Sequence, residues 1–253
     1  MIAAHARSGR WRGAHAFAII ALMNRTSRAI VCVLVIAITT GIGHFTRPSE
    51  PTVAQAERGN ARQAPAVHGF DYWLVALSWS PAYCETNPHD REQCGPRGYG
   101  FVLHGLWPQY ERGGGPQDCP TRERPDAATI ARSLAFMPSR RLIEHEWRAH
   151  GACSGLDARD YFDLSDRAFA SVRIPPAFAS PRSPPRMRAD DVRNAFVAAN
   201  PSLRADMFAV VCRGRDLAEV RICVNDDLSP RRCGRDVRTR CPRNTELRIP
   251  ALR

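Results

Sequence analysis

Tyr72-Trp-Leu-Val-Ala-Leu-Ser-Trp79 is dense in aromatic and aliphatic residues and ends at Ser80-Pro81. A short apolar run closed by a turn signal predicts a buried strand. Gly100-Phe-Val-Leu-His104 predicts a second, short strand, and Gly113-Gly-Gly-Pro116 a loop. Between Met137 and His150 the pattern turns amphipathic, opening on Pro-Ser and stopping at Gly151, as a helix would. A further helix is expected over residues 158–172, ended by Pro175-Pro176, then a surface loop over 177–187 and a helix over 190–200. Met207-Phe-Ala-Val-Val-Cys212 and Leu217-Ala-Glu-Val-Arg-Ile-Cys223 read as antiparallel strands about the turn Arg213-Gly-Arg-Asp216. Helices and strands do not alternate in a βαβ rhythm, so the expected class is α+β.

The N-terminal quarter follows other rules. After Arg25 and Arg28, residues 29–42 form an apolar stretch shorter than the ~18 residues of a spanning helix. It reads as a secretory signal core, with Ala54-Gln55-Ala56 as a small-residue cleavage pattern and Met23 as an alternative start of translation. An uncleaved N-terminal membrane anchor is the competing reading, and membrane contact follows from that one alone. Residues 46–67 carry Pro, Ala, Gln and Arg without hydrophobic periodicity and read as a processed or flexible lead-in. The expected organisation is a signal peptide or anchor with lead-in over 1–56, a linker over 57–67 and one folded domain over 68–253.

Composition narrows the chemistry. The chain has 253 residues, 44% hydrophobic and 24% charged, enough for a sizeable core. All 36 basic residues are arginine, which excludes the lysine of a P-loop, a Schiff-base lysine and the strand lysine of a protein kinase. The net charge of +11 favours polyanionic partners, and an arginine-rich genome is the bland alternative. Of nine cysteines, Cys32 sits in the apolar stretch. The other eight form an even set that suits disulfides in an oxidising compartment, secreted or periplasmic. No C-x-x-C pair is present to suggest zinc.

Three of the eight histidines lie in two segments, Phe101-Val-Leu-His-Gly-Leu-Trp-Pro108 and Glu144-His-Glu-Trp-Arg-Ala-His-Gly151. A lone histidine is more often structural; two histidines and a glutamate on one short helix point to a site. His145-Glu146 resembles the start of H-E-x-x-H, but the next histidine is five residues on, about 140° round a helix, and cannot share one zinc ion with His145. Glu146 and His150 are four apart and share a face, where a carboxylate orients an imidazole and raises its basicity, as a general base needs. Cleaving a ribose-phosphate backbone requires a base for the 2′-hydroxyl, an acid for the departing 5′-oxygen and cations for the phosphorane. Two histidines meet the first two needs. The 2′-hydroxyl is an internal nucleophile, so neither metal, cofactor nor protein nucleophile is required.

Phe70-Asp-Tyr-Trp-Leu-Val-Ala-Leu-Ser-Trp-Ser-Pro-Ala-Tyr-Cys84, Phe101-Val-Leu-His-Gly-Leu-Trp-Pro108 and His145-Glu-Trp-Arg-Ala-His-Gly-Ala-Cys153 resemble the opening strand and both active-site segments of the ribonuclease T2 family, in order and spacing. Asn200-Pro201 and the run Leu217 to Cys223, with Cys233 and Cys241, are similar to the family's C-terminal half, so the resemblance covers about residues 68–245. It implies a central, mostly antiparallel sheet with flanking helices, stapled by disulfides, in a bacterial secreted or periplasmic member. It further implies a monomeric, metal-independent endoribonuclease that cleaves single-stranded RNA with low base specificity, through 2′,3′-cyclic phosphates to 3′-phosphates.

By the same resemblance His150 is the general base, His104 the general acid, Glu146 the residue assisting at the phosphate and His145 a phosphate-binding histidine. Trp107 and Tyr110 resemble the aromatic walls on which a base stacks. The implied disulfides are Cys84 with Cys94, Cys119 with Cys153, Cys212 with Cys241 and Cys223 with Cys233. Trp147 is expected in the core, and His68 and His89 carry no assigned role. One departure stands out: the family's lysine immediately before the second active-site histidine is Ala149 here. That substitution motivates a competing expectation, an RNA-binding protein of the same fold with weakened catalysis. A zinc hydrolase is the third.

Overall fold

The computed structural model describes residues 69–179 and 186–252. The apolar stretch at 29–42, the cleavage pattern at 54–56, the linker at 57–67 and His68 lie outside the described residues. Four strands, β1 (Tyr72–Trp79), β2 (Phe101–Gln109), β3 (Phe208–Arg213) and β4 (Asp216–Val224), form an antiparallel sheet in the order β2-β1-β4-β3. The helices are α1 (Ser80–Thr86), α2 (Arg91–Cys94), α3 (Ala127–Ser133), α4 (Arg140–Ala149), α5 (Ala158–Ala170), α6 (Pro176–Ala179) and α7 (Ala189–Ala199), with 3-10 turns at Gly151–Cys153 and Ala205–Met207. The fold is α+β.

Cross-strand partners share a face of a sheet, so the register sorts the side chains. Trp73, Val75, Leu77 and Trp79 of β1 lie with Val220, Ile222 and Val224 of β4 against the main core. That core is completed by Ile130 of α3, Ile143 and Trp147 of α4, Tyr161 and Phe162 of α5, Phe178 of α6 and Phe196 of α7. Fully burying each such side chain is worth about 1.5–3 kcal/mol, which makes this helix-covered face the main stabiliser. The other face presents Leu74, Ala76 and Ser78 of β1 beside Cys223, Arg221 and Glu219 of β4 and Trp107 and Gly105 of β2. Polar groups gather on this second face.

Several elements differ from the sequence pattern. β2 runs to Gln109 rather than stopping at His104, because it is an edge strand and tolerates Pro108 there. Ser80-Pro81 opens α1 instead of a loop; Pro81 sits in the first turn, where its missing N–H costs nothing. The loop expected from residue 177 begins inside the short helix α6. α3, capped by Asp126 accepting from the Thr129 N–H, was too short and too weakly patterned to stand out. Disulfides join Cys84 to Cys94, Cys119 to Cys153, Cys212 to Cys241 and Cys223 to Cys233. Among the described residues no helix is long and apolar enough to cross a membrane.

Candidate active site

β2 is buried along its length except at two half-buried positions, His104 and Trp107. The pairing with β1 explains how the first is displayed. Ala76 faces Gly105 and Leu77 faces Leu103, so His104 is the extra residue of a β-bulge. A bulge re-aims the side chain it carries, and here the imidazole turns toward the open face. Its Nδ1 lies 2.7 Å from Glu219 Oε1 on β4, and its Nε2 lies 3.6 Å from Glu146 Oε1 on α4.

α4 supplies the opposing groups. Ser139 caps its start by accepting the Leu142 N–H, and the helix ends at Ala149, leaving His150 as its C-cap residue. Trp147 faces inward, buried, and donates its indole N–H to the Glu123 carbonyl at 2.8 Å. One residue earlier, Glu146 is also buried and takes the Trp107 indole N–H on Oε2 at 2.7 Å. A Cβ at position 105 would collide with this carboxylate and with Trp107 Nε1, so glycine is what lets the hydrogen bond form. Gly151 is equally constrained: a Cβ would come within 2.6 Å of the Trp147 ring. The Cys119–Cys153 disulfide and an Asp118 N–H to Ala149 carbonyl bond of 2.9 Å tie the loop after β2 to this helix end.

Trp107 is the hub. The His104 ring meets it edge-on with centroids 5.1 Å apart, and the His150 ring lies 5.2 Å away, tilted by 34°. The two imidazoles, on different elements, are thus held against one indole. The Arg221 guanidinium lies over the same ring at 5.1 Å while donating from Nε and Nη2 to Glu219 Oε2.

The environments of the two imidazoles pull their proton affinities apart. Burial depresses His150 to about 4, reinforced by the charges of His145 and His104. Burial would also lower His104, but the hydrogen bond to Glu219 and the negative charges of Glu146 and Glu219 outweigh it and raise the ring above its ordinary value. Glu146 is pushed up to about 7 by burial, against the pull of His104 and the Trp107 N–H. Glu219 falls to about 2, because the bond to His104 and the Arg221 charge overcome its burial. Two buried atoms here lack a hydrogen-bond partner among the described residues, Glu146 Oε1 and His150 Nδ1.

His104, Trp107, Glu146 and His150 therefore come together, while His145 sits one helical position away, exposed to solvent. His145 and His104 both border a pocket of about 460 Å³ that also takes in Glu219, Arg141 and Arg213. Tyr110 lies past the end of β2 in a turn closed by its N–H to the Gly114 carbonyl, and its ring is not among those packed on Trp107. Glu219 and Arg221 escaped the sequence reading. Their signal was two charges at i and i+2, on one face of an otherwise apolar strand. Among the described residues no group of three or more His, Cys, Asp or Glu side chains is placed to hold a metal ion.

A family model described as the Ribonuclease T2 family matches residues 70–233, well over half of the chain. The chain belongs to the ribonuclease T2 family. Two bacterial relatives are similar in sequence. A ribonuclease of Aeromonas hydrophila is 54% identical over 107 residues, covering 42% of this chain and 48% of that protein. A probable ribonuclease of Haemophilus influenzae is 33% identical over 120 residues, covering 42% and 44%. The chain thus spans about half the length of these relatives. In three dimensions it is similar to an RNase-related protein from Calystegia sepium, with a TM-score of 0.59 at 20% identity, over 73% of this chain and 98% of the other.

Proposed function

We propose that this T2 family member is an endoribonuclease that cleaves single-stranded RNA by transphosphorylation, with little base preference. The observation that carries the reading is the pair of imidazoles held against Trp107, one kept neutral by burial and the other kept protonated by carboxylates. Groups whose environments push their proton affinities in opposite directions mark an acid and a base.

In this mechanism His150 removes the 2′-hydroxyl proton, and the resulting alkoxide attacks the adjacent phosphorus. The bond from phosphorus to the 5′-oxygen breaks as His104 delivers a proton to that oxygen, leaving a 2′,3′-cyclic phosphate. Water then adds with the two roles exchanged, His104 taking its proton and His150 protonating the 2′-oxygen, to give a 3′-phosphate. Glu146, protonated through much of the mildly acidic range, donates to a phosphate oxygen from the carboxyl that has an unpartnered Oε1. His145 is the histidine proposed to bind phosphate, from the exposed side. Trp107 and Tyr110 are the aromatic groups proposed for base stacking, with the Arg221 guanidinium already over one side of the Trp107 ring.

Four disulfides suit an oxidising compartment. Together with the signal-like stretch at 29–42 they support a secreted or periplasmic location. The reading takes residues 68–253 as the catalytic domain of a bacterial protein acting as a monomer, with no metal or cofactor called for by a 2′-hydroxyl nucleophile. The second reading, RNA binding with weakened catalysis, draws on Ala149, which is buried and brings no cation. Incubation of the protein with single-stranded RNA in EDTA at mildly acidic pH decides between them. Cyclic-phosphate ends that convert to 3′-phosphates are expected; RNA that is retained but stays intact would favour the second reading.

A further inference from the structure

We propose that Glu219 of β4 is a positioning residue for His104, fixing the ring and holding it in the proton-donating form, with Arg221 locking the carboxylate. The proposal rests on the reading above that His104 is the acid.

Three features of the geometry lead to it. First, the two oxygens of Glu219 hold different partners. Oε1 meets His104 Nδ1 at 2.7 Å, and Oε2 receives Nε and Nη2 of Arg221 at 2.9 and 2.7 Å. An ionised carboxylate only accepts, so Nδ1 must carry a proton and Nε2 is the nitrogen left for chemistry. Nε2 is also the nitrogen turned toward Glu146, at 3.6 Å. Second, His104 stands at a bulge, where the backbone ladder does not fix its direction. A ring flip would exchange Nδ1 for a carbon against Glu219 and lose the bond. Third, the Glu219 side chain retains only 13% of its exposure, so water replaces little of the interaction.

The groups facing His104 are Glu219 and Arg221 from β4, Glu146 from α4, His150 at the C-cap of that helix, and Trp107 from its own strand. Glu219 is ionised throughout, and above about pH 7, where Glu146 also loses its proton, two carboxylates stand against one guanidinium and a neutral imidazole. A carboxylate in direct contact typically raises a histidine by one to three pH units, and Glu219 is the carboxylate in contact. Arg221 pulls the other way on His104, yet by gripping Oε2 it keeps the carboxylate ionised and aimed. The arrangement is a charged chain, Arg221 to Glu219 to His104, running along the open face of the sheet into the site.

The test is Glu219→Gln, which keeps shape and an accepting oxygen but removes the charge. The His104 ring is titrated by NMR in the protein without RNA, and kcat and KM for a dinucleotide are followed against pH. The expected result is a His104 pKa lower by about one to three pH units, an alkaline limb of kcat/KM displaced downward by the same interval, and a reduced kcat at neutral pH with KM little changed. A role confined to stability would lower the melting temperature and leave the titration and the limb where they are in the wild type; that outcome overturns the proposal. Should Glu219→Gln not fold, Glu219→Asp, which withdraws the charge by one methylene, is expected to lower the His104 pKa by a smaller interval, and an unmoved titration again overturns it. A titration that shifts in a protein that cleaves no RNA would leave the positioning intact and sink the proposed function instead.

Discussion

His104 and His150 differ in what surrounds them, and the difference sets what each can do. His150 is held neutral above about pH 4 by burial, by the charges of His145 and His104, and by an Nδ1 that has no partner among the described residues. His104 has Glu219 in contact and Glu146 nearby, so it keeps its proton to higher pH than an ordinary histidine. His150→Ala and His104→Ala are each expected to abolish RNA cleavage while leaving the circular dichroism spectrum unchanged; near wild-type turnover in either would remove that residue from the mechanism. Ala149 offers a third test. One preorganised cation at a developing oxyanion is worth about 10² to 10³ in rate, so Ala149→Lys is expected to raise the yield of cyclic phosphate. An unchanged rate would mean that a missing cation at position 149 does not limit the reaction. The i, i+4 spacing of Glu146 and His150 misled: His150 is the C-cap beyond the last helical residue, the Glu146 carboxylate turns to Trp107 and His104 instead, and burial lowers the basicity of His150 rather than a carboxylate raising it. Glu219 was not legible, since 115 positions separate it from His104 and only strand pairing brings them together.

At the scale of elements, β2 and α4 carry the site and the loop between them sets its geometry. The bulge at His104 and the glycine beside it form one device: the first aims the imidazole, the second leaves room for Glu146 against Trp107. Gly105→Ala is accordingly expected to lower kcat sharply, with a loss of melting temperature, because the methyl occupies the carboxylate's place. A variant with wild-type kcat would show that the Glu146–Trp107 bond is dispensable. Cys119→Ser with Cys153→Ser opens the tie at the end of α4, at a cost of about 2–5 kcal/mol in stability. Thermal melts of the double variant check the figure. The amphipathic pattern and Ser139 cap made α4 readable, whereas β2 was underestimated because Gly105 and Pro108 look like breaks until the strand is known to lie at an edge.

Across the molecule, one face of the sheet is given to the main core and the other to the candidate site and a smaller apolar cluster of Tyr72, Leu74 and Cys223. The apolar run of β1 foretold its burial, and the lack of βαβ alternation foretold the α+β class, since both are properties of local pattern. The β3–β4 hairpin was legible from the turn at 213–216, whereas the places of β2 and β4 on either side of β1 depend on long-range pairing that local pattern does not encode. The arginine excess belongs to this scale too. Counterion release makes affinity for RNA fall steeply with salt, so KM for a long single strand is expected to rise much more between 50 and 200 mM salt, about 300-fold if as many as six phosphates are contacted, than KM for a dinucleotide. Equal salt dependence for the two substrates would confine recognition to the cleavage site.

The most direct measurement is an NMR titration of the His104 and His150 rings in the protein without RNA, each resonance assigned by its loss in the corresponding alanine variant. The account predicts His150 titrating near pH 4 and His104 above the ordinary histidine value of 6.5. The opposite order, or two rings titrating together at the ordinary value, would contradict it.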